Sequence, residues 1–126
     1  MNRGREAAER FAERRRREDE APRLREVVPR LVVCKIDFEE GREGSVTPEV
    51  SHTRRVVVDV APALFLVPCG NPACRDGGHD ITQSMLRGLR DGMQEIRGED
   101  ACYGSTGTAN CGRVLKFKAT AEYRPA

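Results

Sequence analysis

Four of the cysteines fall into two pairs, and this feature constrains the fold more than any other. Cys69 and Cys74 are separated by four residues, and Cys102 and Cys111 by eight. Two thiol pairs that an intervening element brings together are the usual way a small protein builds a tetrahedral four-cysteine zinc site. The spacing therefore predicts a zinc-ribbon-like module in which these four residues hold a structural Zn²⁺.

Cysteine use and hydropathy bear on the cellular compartment. No apolar run in the sequence is long enough for a signal peptide or a membrane span. We therefore expect a cytoplasmic protein, in which thiols stay reduced and paired cysteines bind metal rather than form a disulfide. A disulfide or simply reduced thiols remain the alternatives. The fifth cysteine, Cys34, lies on the apolar face of a predicted strand, where we expect a buried structural thiol.

Charge divides the chain into two parts. Residues 1–26 contain nine arginines and seven acidic residues, whereas residues 27–126 contain thirteen basic and thirteen acidic residues. We predict a charged N-terminal arm over 1–26, helical or disordered, followed by the zinc-ribbon-like domain over 27–126. A neutral domain argues against nucleic-acid binding, which needs positive charge concentrated on one face.

Hydrophobic alternation predicts the strands. The first begins at Leu31, and a loop over 39–52 follows it. The third, over 64–67, leads into Cys69. The predicted inward-facing residues are Val32, Cys34, Ile36 and Phe38 in the first strand, Val56, Val58 and Val60 in the second, and Leu115, Phe117, Ala119, Ala121 and Tyr123 in the last.

A helix is predicted to start at Asp80, whose carboxylate can cap free amide groups. An apolar stripe of about four turns follows and Gly98 is expected to end it. The stripe consists of Ile81, Met85, Leu89, Met93 and Ile96. The order of elements predicts an α+β fold: a small antiparallel sheet with one packed helix and a zinc-ribbon-like four-cysteine site, preceded by a charged N-terminal helix.

The residues around the cysteines resemble a known class of protein. They are Pro68-Cys69-Gly70-Asn71-Pro72-Ala73-Cys74 with Gly77-Gly78-His79-Asp80-Ile81, then Cys102-x-Gly104, and Cys111 ahead of Leu115-x-Phe117. Over residues 63–123 the chain resembles small bacterial zinc-ribbon proteins of uncharacterised function. Its spacings of four and eight depart from the commoner Cys-x2-Cys pairs. The resemblance implies a structural zinc and implies nothing about a substrate or partner.

The sequence has only two histidines and lacks catalytic motifs, which argues against an enzyme. His79 is the alternative fourth ligand, in place of one cysteine, and His52 is expected to be exposed and without a role. Four cysteines would close the zinc coordination shell and leave no position for a reacting water. The sequence contains no zinc-deaminase, His-Glu-x-x-His or Walker pattern. We therefore expect no catalytic residues.

Three hypotheses for function remain. The first is a structural zinc protein that binds another, unidentified protein, with a homodimer also possible and no role for a membrane. The second is nucleic-acid binding through the arginine-rich arm, with Tyr103 as the candidate for base stacking; the domain would contribute Arg54, Arg55, Lys116 and Lys118. The third is a redox sensor that releases zinc when its thiols are oxidised. We favour the first by elimination.

Overall fold

A computed structural model of the protein describes residues 3–74, 77–107 and 109–125. Met1 and Asn2 of the predicted arm lie outside the described residues, as do residues 75, 76, 108 and 126 of the predicted domain. The described residues form helices α1 (Arg3–Glu20), α2 (Leu24–Val27) and α3 (Thr82–Arg90). None of these helices is both long and apolar enough to cross a membrane.

The strands in the described part of the chain form one antiparallel sheet and two short hairpins. In chain order they are β1 (Leu31–Arg42), β2 (Val50–Val56), β3 (Leu66–Pro68), β4 (Gly78–Asp80), β5 (Glu95–Ala101), β6 (Ser105–Thr106), β7 (Ala109–Asn110) and β8 (Arg113–Tyr123). The four-stranded sheet has the order β2-β1-β8-β5, while β3 pairs with β4 and β6 with β7. The predicted α+β class, with a small antiparallel sheet and a helix, is confirmed.

The hydrophobic core lies on one face of this sheet. β8 contributes alternate residues from Leu115 to Ala121, as the sequence predicts, and Met85 and Leu89 of α3 belong to the same cluster. Cys34 of β1 is buried, with 2 % of its surface exposed. Burial raises the pKa of its thiol to about 11, so Cys34 is the buried thiol that was predicted.

The start of β1 differs from the prediction. Val32 is half exposed, whereas Leu31 is buried. The pairing with β8 shifts by one residue between Leu31 and Val33. A bulge of this kind reverses the alternation of side chains, and the predicted inward position of Val32 is therefore wrong.

The predicted loop over 39–52 and the predicted second strand are also wrong. β1 continues to Arg42, and its partner β2 ends at Val56. Residues 57–60 form a turn in which Val57 O accepts hydrogen bonds from Val60 N and Ala61 N. Hydrophobic alternation does not indicate β2, because β2 is an edge strand of mostly polar, solvent-exposed residues.

The predicted helix is too long. α3 ends at Arg90, and Gly92, with a φ of 72°, takes the left-handed conformation that terminates helices. Met93 is 46 % exposed, and Ile96 belongs to β5. Gly98 is not a helix stop either, because it lies within β5 opposite Phe117. The apolar stripe therefore spans a helix, a turn and a strand.

Candidate metal centre

Two of the four predicted ligands directly follow a strand, and the other two lie in connections between strands. Cys69 directly follows β3, and Cys74 lies in the connection from β3 to β4. Cys102 directly follows β5, and Cys111 lies between β7 and β8. Pairing of the strands therefore brings together residues that are far apart in sequence.

A tight turn joins Cys69 to Cys74. The side-chain Oδ1 of Asn71 accepts a hydrogen bond from Ala73 N at 3.0 Å. The backbone carbonyl oxygen of Asn71 accepts one from Cys74 N at 3.0 Å. Asparagine commonly makes such turns because its side chain bonds to the backbone two residues further on. The turn reverses the chain so that both sulfurs face the same point.

The second pair is held by a small hairpin. Cys102 N donates to Arg113 O at 2.9 Å, which extends the β5–β8 ladder, and Cys111 N donates to Gly104 O at 3.0 Å. Between them β6 and β7 pair, with Gly107 in the turn at a φ of 66°. The spacing between these two cysteines therefore contains the β6–β7 pair, and both cysteines lie at its base.

The four sulfurs form one compact cluster. All four Sγ atoms lie within 4.8 Å of one another. The Cys69–Cys111 and Cys74–Cys102 Sγ distances are both 3.6 Å, far beyond the roughly 2.05 Å of a disulfide. With Zn–S bonds of about 2.3 Å, the sulfurs of a regular tetrahedron would be roughly 3.8 Å apart. The cluster can therefore hold a metal ion without large rearrangement, and it contains every predicted cysteine ligand.

Hydrogen-bond donors lie close to the sulfurs of Cys69, Cys102 and Cys111. Asn71 N lies 3.4 Å from Cys69 Sγ, and Asn71 Nδ2 lies 3.7 Å from Cys111 Sγ. Cys102 Sγ accepts from Gly78 N at 3.3 Å and from Gly104 N at 3.4 Å. Such N–H···S contacts offset the negative charge of thiolate ligands and fix their orientation.

The thiols differ in their tendency to ionise. Burial raises the pKa of Cys69 well above the usual range of a thiol, and it raises that of Cys74 to about 12. Burial also opposes ionisation of Cys111, but hydrogen bonds from Cys69 and from the backbone of Arg113 outweigh it and lower the pKa of Cys111. Of these three thiols, Cys111 is therefore the one that ionises most readily when no cation is bound. A bound divalent cation favours the charged form of every sulfur ligand.

His79 lies outside the sulfur cluster. Its side chain is fully buried, with Nε2 2.8 Å from Glu40 Oε2 and Nδ1 3.1 Å from Asp100 Oδ2. Because both ring nitrogens face carboxylates, neither is directed at the sulfurs. The alternative in which His79 replaces a cysteine is therefore not supported.

Sequence reasoning missed two residues that support the site. Glu40 was assigned to a loop, yet it is 3 % exposed and its Oε1 accepts a hydrogen bond from Gly70 N at 2.8 Å, next to Cys69. The alternation of β1 was the available signal, because Glu40 continues the inward series of Cys34, Ile36 and Phe38. Gly77 is the second such residue, because only a glycine leaves room there for two of the sulfurs. A Cβ there would lie 2.6 Å from Cys102 Sγ and closer still to Cys74 Sγ.

His52 is exposed, as predicted, but it makes a contact. Its ring stacks on Phe38, with the two ring centroids 4.7 Å apart. His52 and Phe38 are register partners in the β1–β2 pair. The stacking explains His52 as a cross-strand packing residue at the edge of the core.

No protein-family model, curated protein or solved structure matches the chain. What the site binds therefore has to follow from the arrangement of its own side chains.

Proposed function

We propose that the protein is a small zinc-binding protein in which Cys69, Cys74, Cys102 and Cys111 hold one structural Zn²⁺ in a zinc-ribbon-like arrangement. The main support is the pair of 3.6 Å sulfur–sulfur distances, close to the edge of a tetrahedral Zn–S₄ site. The donor set points to the same metal. Thiolates favour zinc over magnesium and calcium, which prefer oxygen ligands.

The position of the cluster supports a structural role. The ion would join the β3–β4 hairpin to the base of the β6–β7 hairpin and to the ends of β5 and β8. Zinc binding by unfolded thiols contributes on the order of 10 kcal/mol or more to folding in small zinc peptides. Four thiolates leave no coordination position for a reacting water. We therefore propose a non-enzymatic protein whose role is to bind another protein.

The nucleic-acid hypothesis is less well supported, because at least two of its basic residues are engaged elsewhere. Arg54 donates to Leu66 O at 3.1 Å and lies over the Phe38 ring at 5.3 Å. In the arm, Arg16 pairs with Glu13 and Glu20. Such pairs reduce the positive field that would attract phosphates.

A redox-sensing role is the second candidate, favoured by partial exposure of three of the four thiols. Cys69, Cys74 and Cys111 are half-buried, whereas Cys102 is buried. Hydrogen peroxide would take two electrons from the Cys69 and Cys111 thiolates, form one disulfide and leave as two hydroxide ions. Loss of these ligands would release the zinc. Zinc release at low peroxide, reversed by added thiol and zinc, would support this role.

The proposed zinc site is tested by metal content. The protein is purified without added metal or chelator, and zinc per chain is measured by plasma mass spectrometry. We expect about one zinc per chain in the wild type, loss of zinc in Cys74→Ser, and full zinc content in Cys34→Ser, whose thiol lies in the core. Absence of metal from the wild type, or full retention in Cys74→Ser, would contradict the proposal.

A further inference from the structure

One edge of the main sheet has backbone groups that point away from the sheet. β5 is the last strand in the order β2-β1-β8-β5. Cys102 N donates to Arg113 O, and Ala121 N donates to Gln94 O. In an antiparallel ladder alternate residues bond to the same neighbouring strand. The backbone N–H and C=O groups of the even-numbered residues 94–102 therefore point toward β8. The N–H and C=O groups of Glu95, Arg97, Glu99 and Ala101 therefore point outward, and all four residues are exposed.

The side chains on this edge alternate in charge. Glu95 and Glu99 are negative, and Arg97 between them is positive. We propose that β5 pairs antiparallel with β5 of a second copy of the chain, about a two-fold axis at Gly98. In this register Arg97 faces Glu99 of the partner subunit, and the symmetry repeats the contact. The pairing would join two four-stranded sheets into one.

Other registers are less favourable. An axis at Arg97 places two arginines opposite each other, and an axis at Glu99 does the same with two glutamates. An axis at Ile96 pairs Glu95 with Arg97, but only residues 95–97 of each strand then overlap. The register at Gly98 pairs all seven residues of β5 and allows about eight backbone hydrogen bonds between the outward groups.

The opposite edge of the sheet lacks this self-complementarity. Glu43 N donates to Gly112 O, so the odd-numbered residues of β1 bond to β8 and the even-numbered ones bond to β2. Even-numbered residues of β1 lie opposite even-numbered residues of β2. The backbone groups of Ser51, Thr53 and Arg55 therefore point outward. Pairing β2 with a second β2 brings no opposite charges together. Thr53 also already donates to Asp37 at 2.7 Å. Charge complementarity therefore selects β5 over β2.

Arg97 keeps an intrachain contact that does not prevent this pairing. Its Nε lies 3.1 Å from Glu95 Oε2, and its side chain remains 68 % exposed. In the dimer it would lie between Glu95 of its own strand and Glu99 of the partner subunit. Opposite charges that face each other across a strand pair stabilise the pairing, and like charges weaken it.

Charge reversal tests the proposal. Sedimentation equilibrium gives the dimer dissociation constant of the wild type, Arg97→Glu, Glu99→Arg and the double variant. Each single reversal places like charges opposite each other twice, and we expect it to raise the dissociation constant about tenfold or more. The double variant restores opposite charges and should return to within about threefold of the wild type. Arg55→Glu on β2 is the matched control and should leave the constant unchanged.

Several results would overturn the β5 dimer. They are a wild type that stays monomeric at all accessible concentrations, single reversals with no effect, or dissociation by Arg55→Glu alone. Zinc content and circular dichroism show whether each variant is folded, so that a failed metal site is distinguished from a failed dimer. Amide exchange of the wild type provides a readout without substitutions: the amides of Glu95, Arg97, Glu99 and Ala101 should gain protection as concentration rises. Unchanged rapid exchange of these amides would also reject the dimer.

Discussion

His79 Nε2 lies 2.8 Å from Glu40 Oε2, and both side chains are buried. Glu40 also accepts the Gly70 N–H beside Cys69, and the second nitrogen of His79 contacts Asp100 of β5. The pair thus connects the first cysteine loop to two strands of the main sheet. Buried polar groups that satisfy each other in this way fix a single arrangement of the elements they join.

The first prediction concerns Glu40. Glu40→Ala leaves His79 and the Gly70 amide without this partner in the interior. We expect a loss of about 3 kcal/mol in the free energy of unfolding and a fall in zinc affinity of about tenfold. Urea unfolding and competition with a chelator measure the two effects. Glu39→Ala, at the exposed neighbouring position, is the control and should change stability by less than about 0.5 kcal/mol. Equal effects of the two variants would disprove a special role for Glu40.

The second prediction separates His79 from the metal. His79→Ala removes a buried side chain that contacts two carboxylates, so it should lower the free energy of unfolding by about 3 kcal/mol. Because no ligand is lost, the variant should still bind one zinc per chain. Plasma mass spectrometry and urea unfolding measure both quantities. A folded His79→Ala protein without zinc would contradict this prediction.

The third prediction concerns the close contact at Gly77. A methyl group there would lie 2.6 Å from Cys102 Sγ, so Gly77→Ala must displace at least one sulfur. We expect zinc affinity to fall by about tenfold or more, by analogy with the loss of other groups that orient ligands. Gly107→Ala is the matched control, because its added methyl group meets no atom within 4 Å although its φ of 66° is strained. That variant should lose stability but keep its zinc affinity.

The fourth prediction concerns the pH dependence of stability. The pKa of Cys34 is about 11 in the folded protein, above its ordinary value of 9.0. The folded state therefore holds the Cys34 proton more tightly than the unfolded state does. The resulting stabilisation of the folded state is present below pH 9 and is lost as pH rises toward 11. The stability difference between the wild type and Cys34→Ala should shrink by about 2 to 3 kcal/mol across that range. Urea unfolding of both proteins at several pH values measures it, and a constant difference would contradict the burial of the thiol.

The sequence was informative where a pattern is local. The four cysteines were identifiable because zinc needs few ligands of one chemical type, and their spacing places them at turns. β8 was identifiable because one of its faces is buried and the other solvated, so that its alternation is regular.

The rest depended on contacts between distant segments. Nothing near Glu40 indicates that its carboxylate meets His79, 39 positions away. The apolar residues from Ile81 to Ile96 keep helical spacing although Gly92 ends the helix. The spacing is misleading because residues of both α3 and β5 pack into the same core. The polar strand β2 takes its conformation from pairing with β1 rather than from its own hydrophobicity.

The atoms bound to the metal distinguish a closed four-cysteine site from any other kind of site. Zinc K-edge X-ray absorption on the protein as purified reports the number, type and distance of the ligand atoms. We expect four sulfurs at about 2.3 Å and no lighter atom in the first shell. A nitrogen or oxygen ligand at about 2.0 to 2.2 Å, in place of one or more sulfurs, would contradict the closed four-cysteine site.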